Sequence, residues 1–412
     1  MATAPRPPLM SLDDALAQLL GAVAPLQDVE MVATLDADGR VLAADVVSEL
    51  HVPPQDNSSM DGYAVRCADV QESGVVLQVT QRIAAGSSGH RMQPLSAARI
   101  FTGAPIPSGA DAVVMQEDCD VVNECEGGVR VNAVPAVGQW IRRAGEDVAR
   151  GSVVLQCGQR LHPAALGLAA SVGMAELAVK RRPRVALFST GDELVMPGQK
   201  APQDMPPGAI YNSNRFFLAA LLRRLGCDVT DMGIVPDQRD ATVEALRSAA
   251  QSHDVILTSG GVSVGEEDHI KPAVQSLGSL DLWQIAIKPG KPFAHGRIGN
   301  AHFLGLPGNP VSSYITFLVL VRPFLLQMQG VTEVAMKSIA VRADFTWARA
   351  DKRREFLRVR RNAQGGLDLF PNQSSGVLTS TVWGDGMVDN PAGCTIAPGD
   401  RVQFVAFSEL LA

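Results

Sequence analysis

From Pro183 to Gly330 the sequence alternates short apolar runs with amphipathic ones, and this constrains the fold more than any other feature. "RVALFS", "DVTDMGIV", "DVILTS", "LWQIAI" and "HFLGL" read as strands. "SNRFFLAALLRRLG", "TVEALRSAAQS" and "EDHIKPAVQSL" read as helices between them, and "VSSYITFLVLVRPFLLQMQ" as a long helix after the last strand. In the first helix Phe217, Leu218, Leu221, Leu222 and Leu225 share a face, and Gly226 stops it. Apolar strands alternating with helices are covered on both faces, which predicts a multidomain α/β protein with a doubly wound, mostly parallel sheet. The run "YITFLVLVRPFLLQM" is interrupted by Arg322 and Pro323; it is too short for a bilayer span and reads as a buried helix.

At 412 residues the chain exceeds one ordinary core, and the flanks of the α/β region have a different texture. Ser11 is a good N-cap with acids behind it, so a helix starts at about Leu12. From Ser58 to about Arg142, β-branched runs such as "VVLQVTQRI" and "GVRVNAV" alternate with Gly/Pro/Ser turns, giving a small β-rich domain. "HPAALGLAASVG" is a short helix, and after Gly330 the chain is β again, with "EFLRVRR" and "LDLFP" around the turn "NAQGG". The net charge of -7 argues against nucleic acid as the main partner. Six cysteines without a C-x-x-C pair indicate neither zinc site nor disulfide framework and fit a reducing cytoplasm. "MATAPRPPLM" has no apolar core of signal-peptide type, and no membrane association is expected.

In an open α/β sheet, ligands bind beyond the carboxyl ends of the strands. Here the strands are followed by Ser189-Thr190-Gly191-Asp192-Glu193, by Pro236-Asp237, by Ser259-Gly260-Gly261 running on to Ser263, Gly265, Glu266 and Asp268, by Lys288-Pro-Gly-Lys291, and by Pro307-Gly308-Asn309 leading to Ser312. A lone Gly-rich loop is usually a turn, and "GGVSVG" is neither a Walker loop nor a dinucleotide fingerprint. Asp192 reads equally well as a helix cap, and Glu267 as an acid in a first helical turn. Five such loops on one edge raise the functional reading. Glycines and hydroxyls suit phosphate oxygens, and carboxylates do not. A phosphate ester whose Mg²⁺ bridges phosphate and carboxylates satisfies both, with Lys288 and Lys291 near a second oxyanion.

Seven motifs, "SSMDGYAVR", "IFTGAPIPSGADAVVMQED", "RRAGEDV", "FSTGDELV", "TSGGVSVGEED", "IKPGKPFAHG" and "GLPGNPVSS", occur in the order in which they occur in the MoeA family, the molybdopterin molybdenumtransferases of molybdenum-cofactor biosynthesis. The resemblance runs roughly from Ser11 to Phe407. It implies four domains: an elongated linking domain over 1–56 and 143–182, the β-rich domain over 57–142, a molybdopterin-binding α/β domain over 183–330, and a C-terminal β-barrel-like domain over 331–412. It implies that adenylylated molybdopterin and molybdate, with Mg²⁺, yield molybdenum cofactor and AMP in a homodimer whose cleft is shared between subunits, with a molybdopterin adenylyltransferase upstream. Matched by motif, Asp61, Thr102 and Asp147 belong to the far wall of that cleft. Glu193, Asp237 and Asp268 are the acidic, metal-binding positions, and Lys288, Lys291 and Ser312 the anion-binding ones. Arg358 and Ser375 face the cleft from the C-terminal domain. Without the motifs, Asp61 reads as a turn residue and Arg358 as a solvated strand face among Arg353, Arg354, Arg360 and Arg361. Gln284 stands where the family usually has Lys or Arg; if that side chain contacts a phosphate, binding is expected to be weaker or compensated by neighbours such as Arg215. The alternatives are a molybdopterin adenylyltransferase, which shares the sheet domain, and a non-catalytic molybdopterin-binding scaffold; molybdate is not separable from tungstate, which has the same charge and shape.

Overall fold

The structure, a computed structural model, describes residues 9–122, 127–235, 238–262 and 269–411. The alternating region folds as β1 (Arg184–Thr190), α1 (Asn214–Arg224), β2 (Asp228–Val235), α2 (Arg239–Ser252), β3 (Val255–Ser259), α3 (Ile270–Leu277), β4 (Gly278–Gln284), β5 (Pro292–Ile298), β6 (Ala301–Leu306) and α4 (Pro310–Met328). The sheet order is β2-β1-β3-β6-β5-β4. The first four strands are parallel, and β5 runs antiparallel to both its neighbours. Both faces are covered because strand residues alternate. Val185, Leu187, Val255, Leu257, Leu304 and Leu306 face one core with α1 and α4, while Ala186, Phe188, Ile256 and Phe303 face a second with α2 and α3.

Three details differ from the sequence reading. β5 was not expected, because "PFAHGRI" opens on proline and carries a glycine that only the close approach of β4 explains: a Cβ on Gly296 would fall 2.2 Å from the Ser279 carbonyl oxygen. The segment "LWQIAI" is divided, β4 ending at Gln284 and Ile287–Lys288 joining another sheet. And α4 is a helix of 19 residues, long and apolar enough to cross a bilayer, not too short. It is nonetheless a core helix, 83% of its apolar window being buried in protein. A π-helical turn over Phe317–Val321 precedes Pro323, the residue whose missing N–H disrupts an α ladder.

The N-terminal helix Leu12–Gly21 is capped by Ser11, whose Oγ accepts the Asp14 N–H at 3.0 Å. Its Leu12, Ala15 and Leu19 enter the same core as α1 and α4. Distant chain segments then pair: Val29–Ala33 with Glu176–Lys180, and Val46–Val47 with Val153–Leu155. Between them lies a six-stranded sheet of the β-rich region, in the order Ala112–Met115, Gly62–Val65, Ser96–Ile100, Val75–Ile83, Gly128–Val131, Cys119–Val122.

Beyond α4 the chain closes a five-stranded barrel. Arg354–Arg361 pairs with Gly366–Leu369 on one side and Gly386–Asn390 on the other, and Ile339–Ala343 and Arg401–Ala406 complete the ring. The hairpin turn is held by Asn362 Oδ1, which accepts the N–H groups of Gln364 and Gly366. The short strand Ile287–Lys288 adds in parallel to Arg354 and Glu355, stitching the sheet domain to the barrel.

Arg181 joins three segments. It meets Asp28 at 2.5 Å, and its Nη1 and Nη2 donate to the Asp254 carboxylate at 2.7 and 2.9 Å. Burial pushes the Asp254 carboxyl up, but the bonds from Arg181 and the Arg184 N–H outweigh it and hold the pKa below the usual value. A depressed carboxylate stabilises the fold above its unfolded pKa and loses that contribution as pH falls through the folded value. Asp254→Asn is therefore expected to lower the melting temperature at pH 7 and to flatten its decline below about pH 4, as followed by thermal denaturation across pH.

Candidate active site

The parallel strands end in register. Val235 lies beside Thr190, Ser189 beside Ser259, and Ser259 beside Leu306. Gln284 and Pro292 lie side by side at the same edge, so the Lys288–Lys291 loop emerges there too. Four of the five expected loops thus converge; the fifth, Pro236-Asp237, lies outside the described residues.

The glycine-rich turn after β3 is fitted closely. Gly260 sits at φ +96°, its N–H donates to the Leu306 carbonyl at 3.0 Å, and a Cβ there would stand 3.0 Å from the Thr190 carbonyl oxygen. Asn214, at the start of α1, ties two loops together: its Nδ2 donates to Ser259 Oγ at 2.8 Å and to the Gly308 carbonyl at 2.7 Å. The resulting cleft, of about 600 Å³, is lined by Thr190, Glu193, Ser259, Gly260, Gly308 and Asn309 on the sheet side and by Gly376 of the barrel. The Oγ of Ser189, the Oγ1 atoms of Thr190 and Thr258 and the Nδ2 of Asn212 are buried without a hydrogen-bond partner among the described residues. Buried polar groups are normally paired. Their gathering at one sheet edge fits a site that its ligand completes.

Glu193 reaches the cleft because Gly191, at φ +136°, lets its carboxylate fold back over the turn; a Cβ on Gly191 would be 2.5 Å from Glu193 Oε2. Asp192 is exposed on that turn, which closes through the Leu194 N–H to the Gly191 carbonyl at 3.1 Å. No helix starts there, so the capping role open to Asp192 is excluded. Of the three acids expected to hold Mg²⁺ only Glu193 is described; Asp237 and Asp268 lie outside the described residues, as do Ser263, Gly265, Glu266 and Glu267. Among the described residues no three His, Cys, Asp or Glu form a group that could hold a metal. Glu193 beside threonine and serine hydroxyls supplies the oxygen donors that suit Mg²⁺.

The two lysines differ. Lys288 Nζ is 3.0 Å from Glu355 Oε1 and 3.4 Å from Asp351 Oδ2, over the Trp347 ring. Glu355, 1% exposed, also accepts Trp347 Nε1–H at 2.7 Å. Arg353 holds the Asp351 carboxyl well below its ordinary range. Lys291 makes no ion pair among the described residues, and is the lysine of the pair left for a ligand. On the barrel side the Ser375 carbonyl accepts the Val311 N–H at 2.9 Å, next to the buried Ser312. Pro307 is buried, and Gly261 follows Gly260 into the same turn.

Arg358 is not a solvated strand residue. It is 1% exposed, donating to Ser380 Oγ, the Phe356 carbonyl and the Ser374 carbonyl at 3.1, 2.9 and 3.4 Å. Burial lowers its pKa to about 10, and no carboxylate pairs with it among the described residues. It therefore supports the 374–376 loop from beneath. Asp61 is more than a turn residue: its Oδ1 accepts both the N–H and the Oγ1–H of Thr102 at 2.8 Å, which lowers its pKa. No described hydrogen bond or ion pair joins these two to the cleft. Asp147 is exposed where the chain re-enters the linking region, its N–H on the Val52 carbonyl. Arg215 cannot compensate for Gln284. It pairs with Asp231 on β2 at 2.6 Å, while Gln284 ends β4 at the opposite edge, five strand spacings or about 24 Å away.

Sequence reasoning missed Asn214, Glu355, Asp351 and Trp347. The Asn212-Ser213-Asn214 run before a helix is a signal of Asx chemistry; nothing local marks the barrel residues.

The sequence matches the MoeA N-terminal region (domain I and II) over residues 10–173, the family described as "Probable molybdopterin binding domain" over 186–327, and the MoeA C-terminal region (domain IV) over 340–407. It is 44% identical over 323 residues to a Haemophilus influenzae molybdopterin molybdenumtransferase, covering 78% of each chain. The chain belongs to the MoeA family. This MoeA-family chain is also 38% identical to molybdopterin molybdenumtransferase 2 of Mycobacterium tuberculosis, over 89% of its length and 92% of the relative's. Two crystal structures of the Pyrococcus horikoshii molybdopterin biosynthesis MoeA protein superpose with TM-scores of 0.76 and 0.84, at 30% and 27% identity, over 97% of the chain and 99% and 100% of theirs.

Asn214→Asp keeps the side chain's size but removes the donor that joins the Ser259 and Gly308 loops. We expect it to weaken binding of a phosphate ester in the cleft by about tenfold or more, with the melting temperature shifted by only a few degrees. Calorimetric titration beside a melting curve separates the two effects.

Proposed function

We propose that this chain, a molybdopterin molybdenumtransferase of molybdenum-cofactor biosynthesis by family, takes molybdenum from molybdate into adenylylated molybdopterin and releases AMP. The observation that carries the reading is the convergence of the Thr190–Glu193, Ser259–Gly260 and Gly308–Asn309 turns beneath the barrel loop at Gly376. Backbone N–H groups and hydroxyls there suit phosphate oxygens, and Glu193 brings the carboxylate that a bare phosphate site lacks.

In this reading the glycine turns and Asn309, at the start of α4, hold the phosphates of the link between pterin and AMP. Lys291, with Ser312 and Ser375, receives the tetrahedral dianion by charge and hydrogen bonds. Lys288 braces the anion loop against the barrel through Glu355 and Asp351. Arg358 holds the 374–376 loop in place, and its unneutralised charge favours an anion above it. Glu193, with Asp237 and Asp268, would hold Mg²⁺. Bound there, the ion neutralises phosphate charge and polarises phosphorus. Water cleaves the phosphoanhydride into AMP and the pterin's terminal phosphate. The pterin's two thiols pass their protons to one molybdate oxygen, which leaves as water while two Mo–S bonds form and molybdenum keeps its oxidation state. Protein thiols take no part.

The Asp61–Thr102 pair motivates a shared site. Held together, and joined to its own cleft by no bond among the described residues, it serves the cleft of a partner subunit in a homodimer. An upstream adenylyltransferase supplies the substrate, and the free thiols of Cys67, Cys119, Cys157, Cys227 and Cys394 fit a reducing, cytoplasmic setting.

AMP release from adenylylated molybdopterin is expected to need both molybdate and Mg²⁺, and to fall by about a hundredfold or more in Glu193→Gln with the fold retained. AMP made from ATP would mark an adenylyltransferase instead, and pterin bound without release a binding module. Asp61→Asn is expected to be similarly inactive. Mixing the two inactive variants under subunit exchange should restore about a quarter of wild-type activity if each site takes one residue from each subunit; no recovery would remove the shared site.

A further inference from the structure

A second cleft, of about 590 Å³, lies where Asp38, Arg160, His162, Arg182, Arg223 and Arg224 come together. It sits at the far end of α1 from Asn214, about 16 Å along the helix, and shares no lining residue with the candidate active site. We propose that this cleft binds a small molecule bearing phosphate. The inference is independent of the molybdenum reading.

Four arginines from three separate segments line this one cleft in a chain whose net charge is -7. Arg160 is half-buried and held by the backbone, its Nε donating to the Gly39 carbonyl at 3.3 Å and its Nη2 to the Arg224 carbonyl at 2.7 Å. Arg182, Arg223 and Arg224 make no ion pair among the described residues. The contrast with Arg181 next door is plain, since Asp28 and Asp254 neutralise it. Among the described residues of the cleft wall, Asp38 alone offers a carboxylate.

The simpler account covers half of this. Arg223 and Arg224 lie in the last turn of α1, where the helix dipole favours cations. It does not explain Arg160 and Arg182, which arrive from other segments and line the same space. Like charges gathered in a concave site raise the local potential and draw a counter-anion. Guanidinium groups match phosphate in geometry, and the volume lies within the range of small-molecule sites.

The test titrates the full chain with inorganic pyrophosphate by calorimetry, without Mg²⁺. Saturable binding is expected in the wild type, weaker by about tenfold or more in Arg182→Gln/Arg223→Gln and unchanged in Lys291→Gln. Arg223→Glu, at an exposed position, should weaken binding in the same direction and guards against misfolding of the double variant; melting curves confirm the fold. AMP competing for the site assigns it to nucleotides, and AMP failing to compete assigns it to inorganic phosphates. The proposal is overturned if wild type shows no saturable binding, if the arginine variants bind as wild type does, or if Lys291→Gln abolishes the same binding.

Discussion

Parallel strands buried on both faces set everything else in this protein. Because β1, β3 and β6 each send alternate side chains into two separate cores, none can slip by one residue without exchanging its whole apolar set between faces. Their ends are therefore held in register, with Ser189, Ser259 and Leu306 abreast. The loops beyond them acquire fixed neighbours without any need for local rigidity. Gly260 can lie against Thr190, and Asn214 can bridge Ser259 and Gly308, because the register of the sheet beneath sets those strand ends side by side.

The barrel is attached to this edge by backbone first and charge second. Ile287–Lys288 lends two residues to the barrel's strand, which brings Lys288 to the buried carboxylate of Glu355 and to Asp351. Glu355 is nearly inaccessible, so its partners Lys288 and Trp347 are needed to keep a charge in that place. The Val311 N–H bond to the Ser375 carbonyl closes the other side. The cleft between them is thereby a property of two domains at once.

Polar groups around the cleft are treated unlike those elsewhere. Arg181 and Arg354 are met by paired carboxylates, whereas Arg358 is buried with carbonyls and a hydroxyl as its only partners among the described residues. Among the described residues, the hydroxyls of Ser189, Thr190 and Thr258 are buried without partners at the very edge where the loops converge. Each such group is unfavourable by about 1–3 kcal/mol in an empty protein, and their concentration in one place sets this edge apart.

The alternation of apolar strands and helices, the Ser11 cap and the "NAQGG" hairpin were legible in the sequence, since periodicity and turn chemistry are local. The edge carrying the loops was legible too, because parallel topology puts strand ends together. The fifth strand was not, as Pro292 and Gly296 hide a segment that is β only against its neighbours. Without its motif Arg358 reads as solvated among other arginines, and closure of the barrel buried it. Arg215 looked like a neighbour of Gln284, and the strand order separated them by the width of the sheet. Local sequence thus determined which elements form and which residue types stand at their ends. Tertiary structure alone decided which charges meet, as with Lys288 and Glu355, because partners far apart in the chain are chosen by strand order and burial rather than by spacing.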